Sequence, residues 1–207
     1  MATRDLFDEF AHRYDSWYKR HEGLYASELA AASLLGCRGG VEIGVGTGKF
    51  AEPLGLRAGL DPSLGMLRLA PKSLDLVLAV GEAAPFRDKA FPCALIVVTL
   101  CFADRPEELI REAARVAERV VACIVPRDSP WGVKYRREGE AGHVFYSRAK
   151  FLSAAEVVEM GRRAGLRLAR ISASLPLIGE AYQEPRLVGL EEAEKYGFVC
   201  LEFNRAV

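Results

Sequence analysis

At 207 residues the chain is long enough to bury a substantial core without metal or disulfide staples, and short enough to read as one domain. Half of it is hydrophobic and 28 basic residues balance 28 acidic ones, which excludes a disordered chain and an obvious polyanion binder. Five cysteines, at 37, 93, 101, 123 and 200, form no CxxC pair and are expected as buried small hydrophobes in a reducing cytosol; no apolar leader or long uncharged run directs the chain to a membrane, so a cytoplasmic location is expected.

Residues 5–35 are expected to be helical, because Phe7, Phe10, Tyr14 and Trp17 recur at three- and four-residue steps. Such a stripe serves core packing or a cap laid across a ligand pocket. The next stretch organises the chain. Val41-Glu42-Ile43-Gly44-Val45-Gly46-Thr47-Gly48 reads as a short buried strand entering a tight turn, with glycines at every second position. Glycine is needed where the backbone is closed to residues with a Cβ, or where a ligand approaches bare backbone. Spacing separates the loops of this kind. A phosphate-binding P-loop needs a glycine five positions before the Gly-Lys pair and a hydroxyl after it; here those positions are Ile43 and Phe50. A dinucleotide fingerprint would place its third glycine where Lys49 stands. Neither ATP nor NAD is expected.

What remains, Glu42 with Gly44, Gly46 and Gly48, resembles the first motif of the class I S-adenosylmethionine-dependent methyltransferases. The resemblance implies S-adenosylmethionine as cofactor, with this loop under its methionine half. The opening from Asp5-Leu6-Phe7 through Tyr14-Asp15 is similar to that of small-molecule members, whose tyrosine reaches the cofactor, and this implies the same role for Tyr14.

Phe50 to Pro53 leaves room only for a helical turn, and Leu56 to Leu60 reads as a second strand ending in Asp61-Pro62-Ser63. A carboxylate there can accept from two ribose hydroxyls. "GLDPSLGML" resembles the second methyltransferase motif, with Pro62 beside the cofactor, Ser63 as the cap of the following helix and Met66 against either adenine or the core. Leu74 to Val80 is a third strand, followed by Gly81-Glu82-Ala83. The resemblance implies that Glu82 accepts from the adenine amine while the Ala83 amide donates to a ring nitrogen. Cys93 to Leu100 is an apolar run suited to a central parallel strand. It leads into Thr99-Leu100-Cys101-Phe102, with Thr99 on the cofactor side and Phe102 on the acceptor side. The Asn/Asp-Pro-Pro-aromatic tetrad of enzymes that methylate exocyclic amines of bases or glutamine amides is absent there, which argues against those substrates.

Asp104 and Glu107 have the spacing of a capping box, followed by a stripe of Leu109, Ile110, Ala113 and Ala117. Arg119 to Val125 is the fifth strand, and the loop after it, Pro126 to Gly132, should border the substrate, because ligands of open α/β sheets bind beyond the carboxyl ends of the strands. Tyr135 to Phe151 reads as a solvated loop or, in function, as part of the acceptor pocket. Ser153 and Glu156 form another capping box, on a helix that stops at Gly165. Leu166 to Ala173 and Phe198 to Phe203 are strands, separated by a long connection that is either functional or holds an added helix.

Alternating strands and helices require a mainly parallel α/β sheet with right-handed crossovers. The resemblance sharpens this to a Rossmann-like, seven-stranded, mostly parallel sheet in the order 3-2-1-4-5-7-6, strand 7 antiparallel, with helices on both faces. Residues 1–35 would be a helical cap, 36–125 the cofactor-binding half and 126–207 the substrate side. The implied reaction is direct methyl displacement onto a small molecule enclosed by Tyr18, Phe102, Arg127, Trp131 and Tyr135. His143 is the candidate base, with Tyr146 and Arg127 as alternatives for orienting the acceptor. No metal is called for. Two rivals remain open from the sequence: a module that binds S-adenosylmethionine without turnover, and an RNA methyltransferase with a basic face hidden in zero net charge.

Overall fold

The computed structural model describes residues 3–206. Strands β1 (Val41–Ile43), β2 (Ala58–Asp61), β3 (Asp75–Leu78), β4 (Ala94–Val97) and β5 (Arg119–Ile124) run parallel. Beyond them β6 (Leu166–Ser174), β7 (Arg186–Leu187) and β8 (Phe198–Arg205) complete one sheet in the order β3-β2-β1-β4-β5-β8-β6-β7. The last strand, β8, lies antiparallel between β5 and β6. The expected order is therefore present, with a two-residue strand added at the edge from the long connection after β6. That connection also contains a short helix, Leu190–Ala193.

The sheet separates two apolar layers, and the alternation along its strands decides which residue joins which. Ala94 and Ile96 of β4 pack in one layer with Leu109, Ile110 and Ala113 of the helix Pro106–Val116, whereas Leu95 and Val97 pack in the other. That second layer holds Leu24, Ala31, Ala32 and Leu35 of the helix Glu22–Leu35. Both faces of β1, β2 and β4 are buried, which accounts for the unbroken apolar run of β4.

Residues 5–35 are not one helix. The chain forms α1 (Thr3–Glu9), α2 (Ala11–Arg20) and α3 (Glu22–Leu35), with non-helical backbone at Phe10 and His21. Tertiary anchors overrule the continuous pattern. Asp8 of α1 accepts from Ser63 Oγ and Gly65 N, both at 2.7 Å, while Asp15 of α2 pairs with Lys49 of the glycine loop at 2.6 Å. Ser63 caps the short helix α4 (Leu64–Leu67) as expected, accepting from Met66 N at 3.1 Å.

Four further expectations need comment. The helix α5 (Pro106–Val116) takes Arg105 as its N-cap without a side-chain bond and starts on Pro106, so Asp104 and Glu107 make no capping box. Residues 130–140 form a helix, α6 (Pro130–Glu140), capped by Ser129 accepting from Gly132 N, where the expectation was a substrate-bordering loop to Gly132 and a loop again from Tyr135; Trp131 and Tyr135 are buried on it. The Ser153 and Glu156 capping box is present on α7 (Ala154–Arg163). Four of the five cysteines are paired, Cys37 with Cys93 and Cys123 with Cys200, which face one another on β5 and β8; Cys101 is free and buried. Among the described residues no helix is long and apolar enough to cross a membrane.

Candidate active site

The site is built from the carboxyl ends of the parallel strands. After β1 the chain turns at Gly44 with φ +77°, and a Cβ there would lie 2.3 Å from Thr99 Oγ1, so glycine is required twice over. Gly44 N and Val45 N both donate to Leu60 O, folding the loop back onto β2. Asp61, at the end of β2, then fastens it: one carboxylate oxygen accepts from Gly46 N at 2.9 Å and the other from Ser63 N at 2.8 Å. Burial pushes this carboxyl up and the two amides pull it back. Each oxygen keeps acceptor capacity for a ligand.

A cavity of about 650 Å³ lies over this end of the sheet. Of the residues expected around the cofactor, Tyr14, Gly44, Gly46, Asp61, Pro62, Met66, Glu82 and Thr99 line it. Three do not. Gly48 faces Pro71, whose Cδ would sit 2.6 Å from an added Cβ. The Ala83 amide, expected to meet an adenine nitrogen, donates to Val80 O within its own tight turn. Glu42 points to the opposite face of β1 from Val41 and Ile43, into a small void beside Tyr14, Tyr18 and Thr47. Its Oε2 is buried without a hydrogen-bond partner, and burial raises its carboxyl well above the usual range. Sequence reasoning missed Phe7 and Arg4, which α1 brings to the cavity; the break at Phe10 carries no local signal.

A second cavity, about 340 Å³, adjoins the first, and Tyr14, Val98 and Phe102 line both. Val98 holds φ +48°, a conformation rare for a β-branched residue and of the kind that clusters at functional sites. Tyr18, Trp131, Tyr135 and Tyr146 form the walls. Tyr14 and Tyr18 join their hydroxyls at 2.8 Å, and Tyr146 stacks on Tyr135 with centroids 4.3 Å apart. Burial raises all four phenols, so they remain protonated near neutral pH. Trp131 donates through Nε1 to Leu177 O at 3.0 Å, which ties the connection after β6 over the cavity.

His143 also lines this cavity, yet its Nδ1 accepts from Tyr146 N at 3.3 Å and its ring stacks on Tyr146. The proton of the neutral ring then sits on Nε2, and burial lowers the group toward that neutral form. Its basic lone pair is thus engaged. Arg127 is outside both cavities, a correction to its expected place: its guanidinium binds both oxygens of Glu156 at 3.1 and 3.0 Å, on the first turn of α7. A residue unforeseen from sequence, Glu28 of α3, lines the second cavity. Its spacing from Leu24, Ala31, Ala32 and Leu35 was the available signal, since those positions share the buried face of a helix. Among the described residues no cluster of His, Cys, Asp and Glu is arranged to hold a metal ion.

Comparison with known proteins agrees with this geometry. A sequence profile described as a methyltransferase domain matches residues 41–124. An uncharacterised protein of Methanocaldococcus jannaschii is 36% identical over 206 residues, covering 97% of this chain and 99% of the relative. Among solved structures, a Thermotoga maritima S-adenosylmethionine-dependent methyltransferase, described as a possible histamine N-methyltransferase, is 32% identical with a TM-score of 0.89, over 98% of this chain and 99% of its own. Magnesium protoporphyrin IX methyltransferase of Synechocystis, solved with bound SAH, shares the fold at 15% identity and a TM-score of 0.66, over 98% of each chain. The chain belongs to the class I family of S-adenosylmethionine-dependent methyltransferases.

Proposed function

We propose that the protein transfers a methyl group from S-adenosylmethionine to a small molecule held in the aromatic cavity. The observation that carries this reading is the junction of the two cavities at Tyr14, Val98 and Phe102. A cavity of about 340 Å³ with aromatic walls and charged side chains among its lining suits a small ligand with a polar group. When bound, the cofactor supplies a methyl carbon on a sulfonium, open to attack by a nucleophile.

The residues fit that group. The remaining acceptor sites of Asp61 suit ribose hydroxyls. Glu82 already accepts from Arg105 N at 3.2 Å and keeps its second oxygen for an adenine amine. On the acceptor side the chain's contribution is placement and exclusion of water, which can account for most of such a barrier. The neutral phenols donate or accept hydrogen bonds without taking a proton. His143 orders the Tyr146 turn and is assigned no proton transfer.

Two outcomes check these roles. Asp61→Ala should weaken S-adenosylhomocysteine binding by about ten- to a hundredfold and lower stability by about 1–3 kcal/mol, because it also strands the Gly46 and Ser63 amides. Calorimetry and thermal melts read the two effects separately. Tyr146→Ala should slow methyl transfer to a metabolite pool at least tenfold while S-adenosylhomocysteine affinity stays within about twofold. Equal losses of cofactor binding and turnover would argue against a separate acceptor cavity.

A further inference from the structure

One helix carries an acid into the interior without a partner. Leu24, Glu28, Ala31, Ala32 and Leu35 share one face of α3, and Glu28 is 8% exposed. Among the described residues no hydrogen bond or opposite charge engages its carboxyl, and burial alone pushes it up to about 8. Such a group is costly to bury unless complementary chemistry meets it. Glu28 lines the acceptor cavity together with the rings of Trp17, Tyr18, Trp131, Tyr135 and Tyr146, whose faces attract positive charge. Of the other charges that line it, Lys134 pairs with Glu138 at 2.8 Å and lies over the rings of Trp131 and Tyr135, which leaves Trp17, Tyr18 and Tyr146 for a ligand; Glu180 pairs with His21 at 2.7 Å, and Arg13 and Arg20 are exposed to solvent.

We infer that Glu28 anchors the methyl acceptor and that the acceptor is a small amine bound as its cation, with its ammonium on the Glu28 carboxylate, its carbon skeleton among the rings and an uncharged atom elsewhere in the molecule as the nucleophile. This inference rests on the small-acceptor reading above. A neutral alcohol of the same skeleton gains neither the ion pair nor the ring attraction. A carboxylic acid meets a like charge.

The test is calorimetry on the full chain saturated with S-adenosylhomocysteine, using butylamine, phenethylamine and tryptamine, each matched by the alcohol and the carboxylic acid of the same skeleton. At least one amine should bind ten times more tightly than its alcohol, and Glu28→Gln should abolish that preference while S-adenosylhomocysteine affinity is unchanged. Alcohols or acids binding as tightly as amines, or a preference that survives in Glu28→Gln, would overturn the amine assignment and leave the small-acceptor cavity standing. Should no compound bind to protein that still takes S-adenosylhomocysteine, the amine assignment and the small-acceptor reading fall together.

Discussion

Gly44→Ala is expected to weaken S-adenosylhomocysteine binding by about a hundredfold or more. Two costs combine. A residue with a Cβ at φ +77° is strained by roughly 1–2 kcal/mol. The new methyl would also meet Thr99 Oγ1 and Cγ2 at 2.3 and 2.4 Å, and overpacking of this kind costs about 1–3 kcal/mol. Thr99 is β-branched and stiff, so relief comes from moving the glycine loop, which is the floor of the cofactor cavity. About 3 kcal/mol is a factor of roughly a hundred in affinity. Gly189→Ala is the control, because an added Cβ there meets nothing within 4 Å. Wild-type affinity in Gly44→Ala would remove this loop from the binding site.

Glu28→Gln should melt increasingly above the parent protein as pH rises from 5 to 9, with the gap widening by roughly ten degrees in Tm. A carboxyl whose value is raised on folding favours the fold while it is protonated. That advantage is complete below the unfolded value near 4.5 and is lost as pH rises through about 8. The loss amounts to a few kcal/mol for a fully buried group. Glutamine has no such titration. The raised phenols around Glu28 stay protonated across this range, and the lowered His143 and the pairs Lys134–Glu138 and His21–Glu180 are common to both proteins and cancel in the difference. Parallel melting profiles would place an unseen partner on the carboxyl.

The loop and strand end that line the larger cavity were legible because their signals are local. Glycines at 44, 46 and 48 and an acid at 61 report backbone conformation and a strand end within a short window, and the structure gathers Gly44, Gly46 and Asp61 around one cavity. The acceptor half depends on distant partners. Arg127 was expected at the substrate because it follows a strand, but Glu156, 29 residues on, takes its guanidinium. Helix α6 was hidden by two glycines and a run of charges; its Ser129 cap and the packing of Trp131 and Tyr135 hold it. Likewise the cysteine pairs are separated by 56 and 77 residues, so only strand order brings Cys123 opposite Cys200. Glu28 was legible in principle, through its spacing, but an acid in a short-residue helix does not by itself say which cavity lies beside it.

The most direct test follows a labelled methyl group. The protein is incubated with S-adenosylmethionine carrying a labelled methyl, together with deproteinised small metabolites, total RNA and denatured protein, and the label is counted in each fraction. The account predicts transfer to the small-molecule fraction, with a large loss in Tyr146→Ala. Label found only in RNA or protein, or transfer to small molecules that Tyr146→Ala leaves intact, would contradict it.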